Sequence, residues 1–184
     1  MAPVTLAGAI TQQNAEGLAA IALLQQVRPG TPVVYGAFTS NVDMKSGAPA
    51  FGTPEYVRAM QMSGQMARRY GLPLRASNAN AANAPDAQAM WESVLSLQGS
   101  LSGHANMIYH AAGWMEGGLS ASFEKFVIDC EVLQQLLYSQ QPVPVSADDL
   151  ALGAIAEVGP SGHFFGADHT CLLYTSPSPR DLST

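Results

Sequence analysis

One pattern constrains this chain more than any other: a short apolar, β-prone run, a loop rich in Gly, Asn, Ser and Thr, and a longer helical stretch recur four times. The first unit takes residues 3–6 as strand, 7–10 as loop and 11–27 as helix, closed by Pro29 and Gly30. Leu18, Ile21 and Leu24 fall on the face that should meet a sheet. The second takes 32–35 as strand and 36–52 as a long loop. Thr53 then supplies an N-cap, Pro54 the first helical position and Glu55 a negative charge at the positive helix end, which predicts a helix to Tyr70 that Gly71 ends. The third has strand 74–76, a polar loop 77–84 and a helix that opens at Asp86 and stops before Gly103. The fourth has strand 105–109, a glycine-rich loop 110–118 and a helix over 121–140, stopped by Pro142 and Pro144. Ser146 followed by Asp148 and Asp149 predicts a capped start for one more helix, to Val158.

Successive strands lie roughly 30 to 40 residues apart with a helix between each pair, the spacing of right-handed crossovers in a parallel sheet. The fold class is therefore α/β, and four such units make half of a (β/α)8 barrel. An open flavodoxin-like sheet uses the same units, so periodicity does not choose between them. No GxGxxG turn or P-loop is present to cradle a phosphate. In either architecture the ligand sits at the carboxyl ends of the strands, which puts residues 8–14, 35–44, 77–80 and 109–118 on one functional face.

A length of 184 residues suits one domain with a sizeable core and falls short of a complete barrel of about 250. With 47% hydrophobic and 12% charged residues the chain reads as globular, and eight basic residues against a net charge of -6 form no stripe for a nucleic acid. No apolar run reaches the ~20 residues of a membrane span, and no basic-then-apolar leader opens the chain, so a cytoplasmic protein is expected. Cys130 and Cys171 have neither disulfide-framework nor metal-ligand spacing. Composition changes abruptly at Cys171, and residues 171–181 resemble the in-frame translation of a sequencing-library adapter. The expected domain is thus 1–170, with 171–184 a non-native tail.

The densest chemistry lies in His110-Ala-Ala-Gly-Trp-Met-Glu-Gly-Gly-Leu119, just past a strand. His110 can hydrogen-bond a ligand or shuttle a proton, or simply satisfy a neighbouring carbonyl. Trp114 offers a π face to a quaternary ammonium, a contact of about 0.5 to 2 kcal/mol, or packs the loop onto the sheet. Glu116 offsets a ligand's positive charge or stays solvated. Tyr35 and Phe38 at the end of the second strand complete an aromatic box with Trp114, or belong to the core. Asn78 and Asn80 bring donors and acceptors to the third loop, or close a turn by Asx hydrogen bonds. His163, Asp168 and His169 do not match a zinc spacing, no metal site is expected, and no Ser/His/Asp or Cys/His arrangement supports hydrolysis.

In order along the chain, Pro3-Val-Thr-Leu-Ala-Gly8, Gln13-Asn-Ala-Glu16, Val27-Arg-Pro-Gly30, Gly52-Thr-Pro-Glu55, Arg69-Tyr-Gly-Leu-Pro73, Pro85-Asp-Ala-Gln88, His110 to Leu119, Glu124-Lys125 and Gly159-Pro-Ser-Gly-His-Phe164 resemble the trimethylamine methyltransferase family. The resemblance covers residues 2–170. It implies a TIM barrel of which this chain is the C-terminal half, with Met1 an internal methionine or a fragment's convenient start. It also implies methyl transfer from a methylated amine to the cobalt of a corrinoid (cobalamin) carried by a separate protein. Trimethylamine-specific members carry pyrrolysine in the loop matching residues 77–83, near Ala79 or Asn80, where this chain has ordinary residues. That departure points to a quaternary amine such as glycine betaine. By the same resemblance His110 matches a histidine near the cobalt and is the leading catalytic candidate, with Tyr35, Trp114, Glu116, Asn78 and Asn80 as substrate contacts.

The partners so implied are the cognate corrinoid protein and a small methylated amine, with no nucleic acid and no membrane, and a homo-oligomer left open. Two alternatives stand beside the enzyme: an inactive fragment that exposes sheet edges, and an unrelated α/β small-molecule-binding domain.

Overall fold

A computed structural model describes residues 2–36 and 38–174; the later part of the tail, 175–184, lies outside the described residues. The chain divides into two compact units, Met1–Gln140 and Gln141–Thr184.

The first unit is built on helices α1 (Leu6–Val27), α2 (Pro54–Tyr70), α3 (Ala87–Ser102) and α4 (Phe123–Ser139). Their starts follow the capping chemistry written in the sequence. Thr53, Asp86 and Ser122 each accept a hydrogen bond at the N-cap, from the N–H of Tyr56, Ala89 and Lys125. Pro54 occupies the first turn of α2, and Gly71 closes that helix at φ 65, a left-handed conformation glycine adopts freely.

Three runs form the parallel ladder, where four were expected. Tyr35 bridges Leu74, and strand β3 (Arg75–Ser77) pairs in parallel with β4 (Met107–Tyr109), Arg75 opposite Met107 and Ser77 opposite Tyr109. Two short antiparallel hairpins flank it, β1 (Asn41–Val42) with β2 (Pro49–Ala50) and β5 (Trp114–Met115) with β6 (Ser120–Ala121). The expected strand over residues 3–6 is instead a helix entry. Thr5 Oγ1 accepts the Gly8 N–H, and the residues expected as loop, 7–10, are helical. The alanines of this stretch favour helix once the cap is in place.

Strands and helices both run in sequence order: α1 packs on α2, α2 on α3 and α3 on α4. The core lies between ladder and helices, with Ile10, Phe51, Tyr56, Ala59, Met60, Ala76 and Ala79 in one cluster and Tyr35, Ala67 and Leu74 in a second. Alternation along the strands leaves Met107 and Tyr109 on the opposite, exposed face. α1 does not bury Leu18 and Leu24, as its pattern suggested. It buries Ile10 and Gln13, with Ile21 packed beside the second cluster. Apolar and polar residues are mixed around this helix, so partners chose its face. Gln13 Nε2 donates to Ser63 Oγ on α2 and its oxygen accepts from Thr39.

The second unit holds the short helices α5 (Leu152–Val158) and α6 (Asp168–Tyr174). Ser146 and Asp149 cap each other as expected, the Ser146 N–H donating to Asp149 and the Asp149 N–H to Ser146 Oγ. The turn they close ends at Ala151 with φ 50, and helix begins only after that break.

Candidate active site

The loops that follow β3 and β4 meet at the carboxyl ends of the ladder and are stitched to each other. The Asn78 N–H donates to Tyr109 O at 2.9 Å, Gly117 N–H to Asn80 O at 2.8 Å and Glu116 N–H to Ala82 O at 3.0 Å. Between them lies a cavity of about 120 Å³ lined by Phe38, Asn78, Ala79, Asn80, His110 and Trp114, with Met115, Gly117 and Gly118 closing one side. One water needs roughly 10–15 Å³ on this scale, so the space holds a small organic molecule.

His110 enters the cavity from a backbone at φ 55. A left-handed conformation at a residue with a side chain costs about 1 kcal/mol or more, and such strain clusters at functional sites. Its ring lies 4.2 Å from that of Trp114, and Nδ1 is 3.2 Å from Ser77 Oγ. Burial, and then the positive charge of Arg75, hold its pKa below the ordinary histidine value, so the imidazole is neutral at pH 7. Gly118 makes room for the indole. At φ +97, a Cβ there would stand 2.6 Å from Trp114 Cζ3.

Asn78 and Asn80 are only 1% and 2% exposed, and the Oδ1 atom of each has no hydrogen-bond partner among the described residues. Their orientation is fixed by the other end of the amide. Asn78 Nδ2 donates to Ala111 O and Asn80 Nδ2 to Trp114 O, and a carbonyl can only accept. Leaving a buried acceptor unmatched costs about 1–3 kcal/mol. Two such oxygens beside aromatic rings make a cavity that favours a donor or a cation.

Three buried devices hold these loops, and sequence reasoning found none of them. Tyr56 of α2 donates its hydroxyl to Ser77 O at 2.7 Å, and burial pushes its pKa up to about 12. Glu92 of α3 accepts the N–H groups of Ala81 and Ala82 at 2.7 and 2.9 Å, with Gln88 on its second oxygen. On α4, Lys125 pairs with Asp129 at 2.5 Å, both fully buried. Lys125 also donates to Ser93 Oγ, while Asp129 accepts the Gly113 N–H at 2.9 Å. The i, i+4 spacing of Lys125 and Asp129 within an apolar helix was the visible signal for that pair.

Of the expected site residues, His110, Trp114, Asn78 and Asn80 come together, with Phe38. Tyr35 does not. Its side chain faces the helices, donates to Asn14 and lines a separate groove with Ile21 and Leu24. Residues alternate across a strand, and position 35 falls on the core side. Glu116 is exposed at φ 51 and does not line the cavity. Among the described residues no group of three or more His, Cys, Asp or Glu is placed to hold a metal ion, and no helix is long and apolar enough to cross a membrane.

The family model for trimethylamine methyltransferase (MTTB) matches residues 1–177. The chain belongs to the trimethylamine methyltransferase family. It is 39% identical over 169 residues to the glycine betaine methyltransferase of Desulfitobacterium hafniense, covering 91% of this chain and 35% of that protein. A trimethylamine methyltransferase of Methanosarcina mazei is 37% identical over 96% of this chain and 36% of its own length. The proline betaine:corrinoid methyltransferase of Eubacterium limosum is 34% identical over 89% and 34%. This family member therefore spans about a third of the length of the curated relatives it matches.

Proposed function

We propose that this chain is part of a corrinoid-dependent amine methyltransferase, that its ladder is part of a (β/α)8 barrel, and that its cavity holds the methyl donor, a quaternary amine of the glycine betaine type. The observation that carries the reading is the pair of unmatched amide oxygens of Asn78 and Asn80, set among Phe38, His110 and Trp114 at the carboxyl ends of parallel strands. The in-order packing of strands and helices supports the barrel, because a doubly wound sheet sends successive crossovers to opposite faces where its strand order reverses.

The corrinoid, carried by a separate protein, is the methyl acceptor and supplies the nucleophile. When the methyl leaves, the electron pair of the C–N bond stays on nitrogen, so a quaternary donor departs as a neutral tertiary amine and needs no proton. A neutral His110 suits that chemistry, since it does not place a second positive charge beside the cation. The π face of Trp114 and the two amide oxygens orient the ammonium.

A chimera tests this. Residues 1–170 replace the matching third of the Desulfitobacterium glycine betaine methyltransferase, and betaine-dependent methylation of cob(I)alamin is followed by visible absorption. Activity is expected in the chimera, none in the 184-residue chain alone, and a loss of at least a hundredfold with His110→Ala. A folded but inactive chimera refutes the reading.

A further inference from the structure

Four side chains and the Gly113–Trp114 backbone close a ring of hydrogen bonds that joins the two loops of the cavity. Asn80 Nδ2 donates to Trp114 O at 2.7 Å and to Ser93 Oγ at 3.4 Å. Lys125 Nζ donates to the same serine oxygen at 2.6 Å, and to the two oxygens of Asp129 at 2.5 and 2.6 Å. Asp129 Oδ2 accepts the Gly113 N–H at 2.9 Å, and Gly113 is the chain neighbour of Trp114. Asn80 is 2% exposed and Ser93, Lys125 and Asp129 are wholly buried, so bulk water does not replace a lost member.

The polarity of the ring is fixed. An ammonium and an amide NH2 only donate, so Ser93 Oγ accepts from both and spends its two lone pairs on them. The three protons of Lys125 go to Ser93 and Asp129, and the two of the Asn80 amide to Ser93 and Trp114. What remains of Asn80 is its carbonyl oxygen, without a partner among the described residues, on a side chain that lines the cavity. Ser93 is thus the one acceptor whose loss leaves two donors unmatched, one on the loop after β3 and one on the ion pair that holds the loop after β4. Trp114, the far end of the ring, stacks 4.2 Å from His110.

We propose that Ser93 is a positioning residue for this cavity, with Lys125 acting through it. The ring they close sets the place of the Asn80 amide against Trp114, so a change at Ser93 on α3 reaches the loop after β4, which Ser93 does not itself touch. The ring bears on methyl transfer only if the cavity holds the donor, as proposed above. Its coupling of the loops is read without any ligand, so either can fail while the other stands.

The 184-residue chain carrying Trp91→Phe, which leaves Trp114 as its one tryptophan, is the background for the test. Indole emission and hydrogen exchange are measured there with Ser93→Ala and Ser93→Thr. Ser93→Ala is expected to shift Trp114 emission and to speed exchange of the Gly113 amide at least about tenfold, the worth of one buried hydrogen bond. The amides of Ala81 and Ala82, held by Glu92, should keep their protection. Ser93→Thr retains the hydroxyl and is expected to restore both signals, a rescue that loss of packing alone does not give. Unchanged Gly113 exchange and Trp114 emission in a folded Ser93→Ala variant overturn the proposal, as does an equal loss in Ser93→Thr. If Ser93→Ala does not fold, Lys125→Met/Asp129→Leu is read from the other side of the ring. The side-chain amide of Asn80 should there lose protection in NMR exchange, and its retention overturns the proposal.

Discussion

The two loops that face each other across the cavity are held by different physics. The loop after β3 is fastened by a single carboxylate, Glu92, whose charge is spread over two backbone N–H groups and an amide. The loop after β4 is fastened through Gly113 to Asp129, whose charge is cancelled by a fully buried lysine. A carboxylate with several N–H donors needs no counter-ion. One given a single backbone donor and no solvent does, and Lys125 is that counter-ion. The β4 loop carries His110 and Trp114, so the costlier device holds the more reactive side chains.

Removing half of the ion pair should show the largest effect. Lys125→Ala leaves the buried Asp129 charge without a counter-ion, with the Gly113 N–H as its remaining partner, and a loss of about 3–5 kcal/mol in urea unfolding is expected. Replacing both partners, as in the double variant Lys125→Met/Asp129→Leu, should recover most of that stability yet leave Gly113 unheld, seen as altered Trp114 fluorescence. If the double variant is as unstable as Lys125→Ala, charge compensation is not what separates the two loops.

Glu92→Gln should cost less, about 1–2 kcal/mol, because the amide oxygen can still accept the N–H groups of Ala81 and Ala82, and the charge-assisted part and the Gln88 contact are lost. Hydrogen exchange at Ala81 and Ala82 is the local readout, and unchanged protection there contradicts the role given to Glu92.

The smallest effect concerns His110. Its folded pKa lies below the unfolded value of 6.5, so the unfolded chain takes up protons first as pH falls. The histidine therefore contributes nothing above that value, and stability declines as pH drops below it. Proton NMR of the imidazole should give a midpoint under 6.5, and Arg75→Gln should move it upward. A midpoint at or above 6.5 removes the case for a neutral ring.

Much of the fold was legible. Thr53, Pro54 and Gly71 mark both ends of α2, and Asp86 and Gly103 frame α3, because caps act within a few residues and leave their chemistry in the sequence. The β3 and β4 runs were also visible, within a residue or two. Residues 3–6 were not. An apolar run containing threonine reads equally as a strand or as the approach to a capped helix.

At the site, the sequence by itself determined which loops carry the polar and aromatic residues, since parallel β/α units put the loops after their strands at one end. Only the tertiary structure decided which of those side chains meet. Tyr35 turned to the core because strand alternation put position 35 opposite the helices, while Phe38 stayed at the cavity. Lys125 and Asp129 became the support for His110 and Trp114 because α4 packs on α3 at Ser93. Pairings between residues tens of positions apart are set by packing, and local sequence chemistry does not record them.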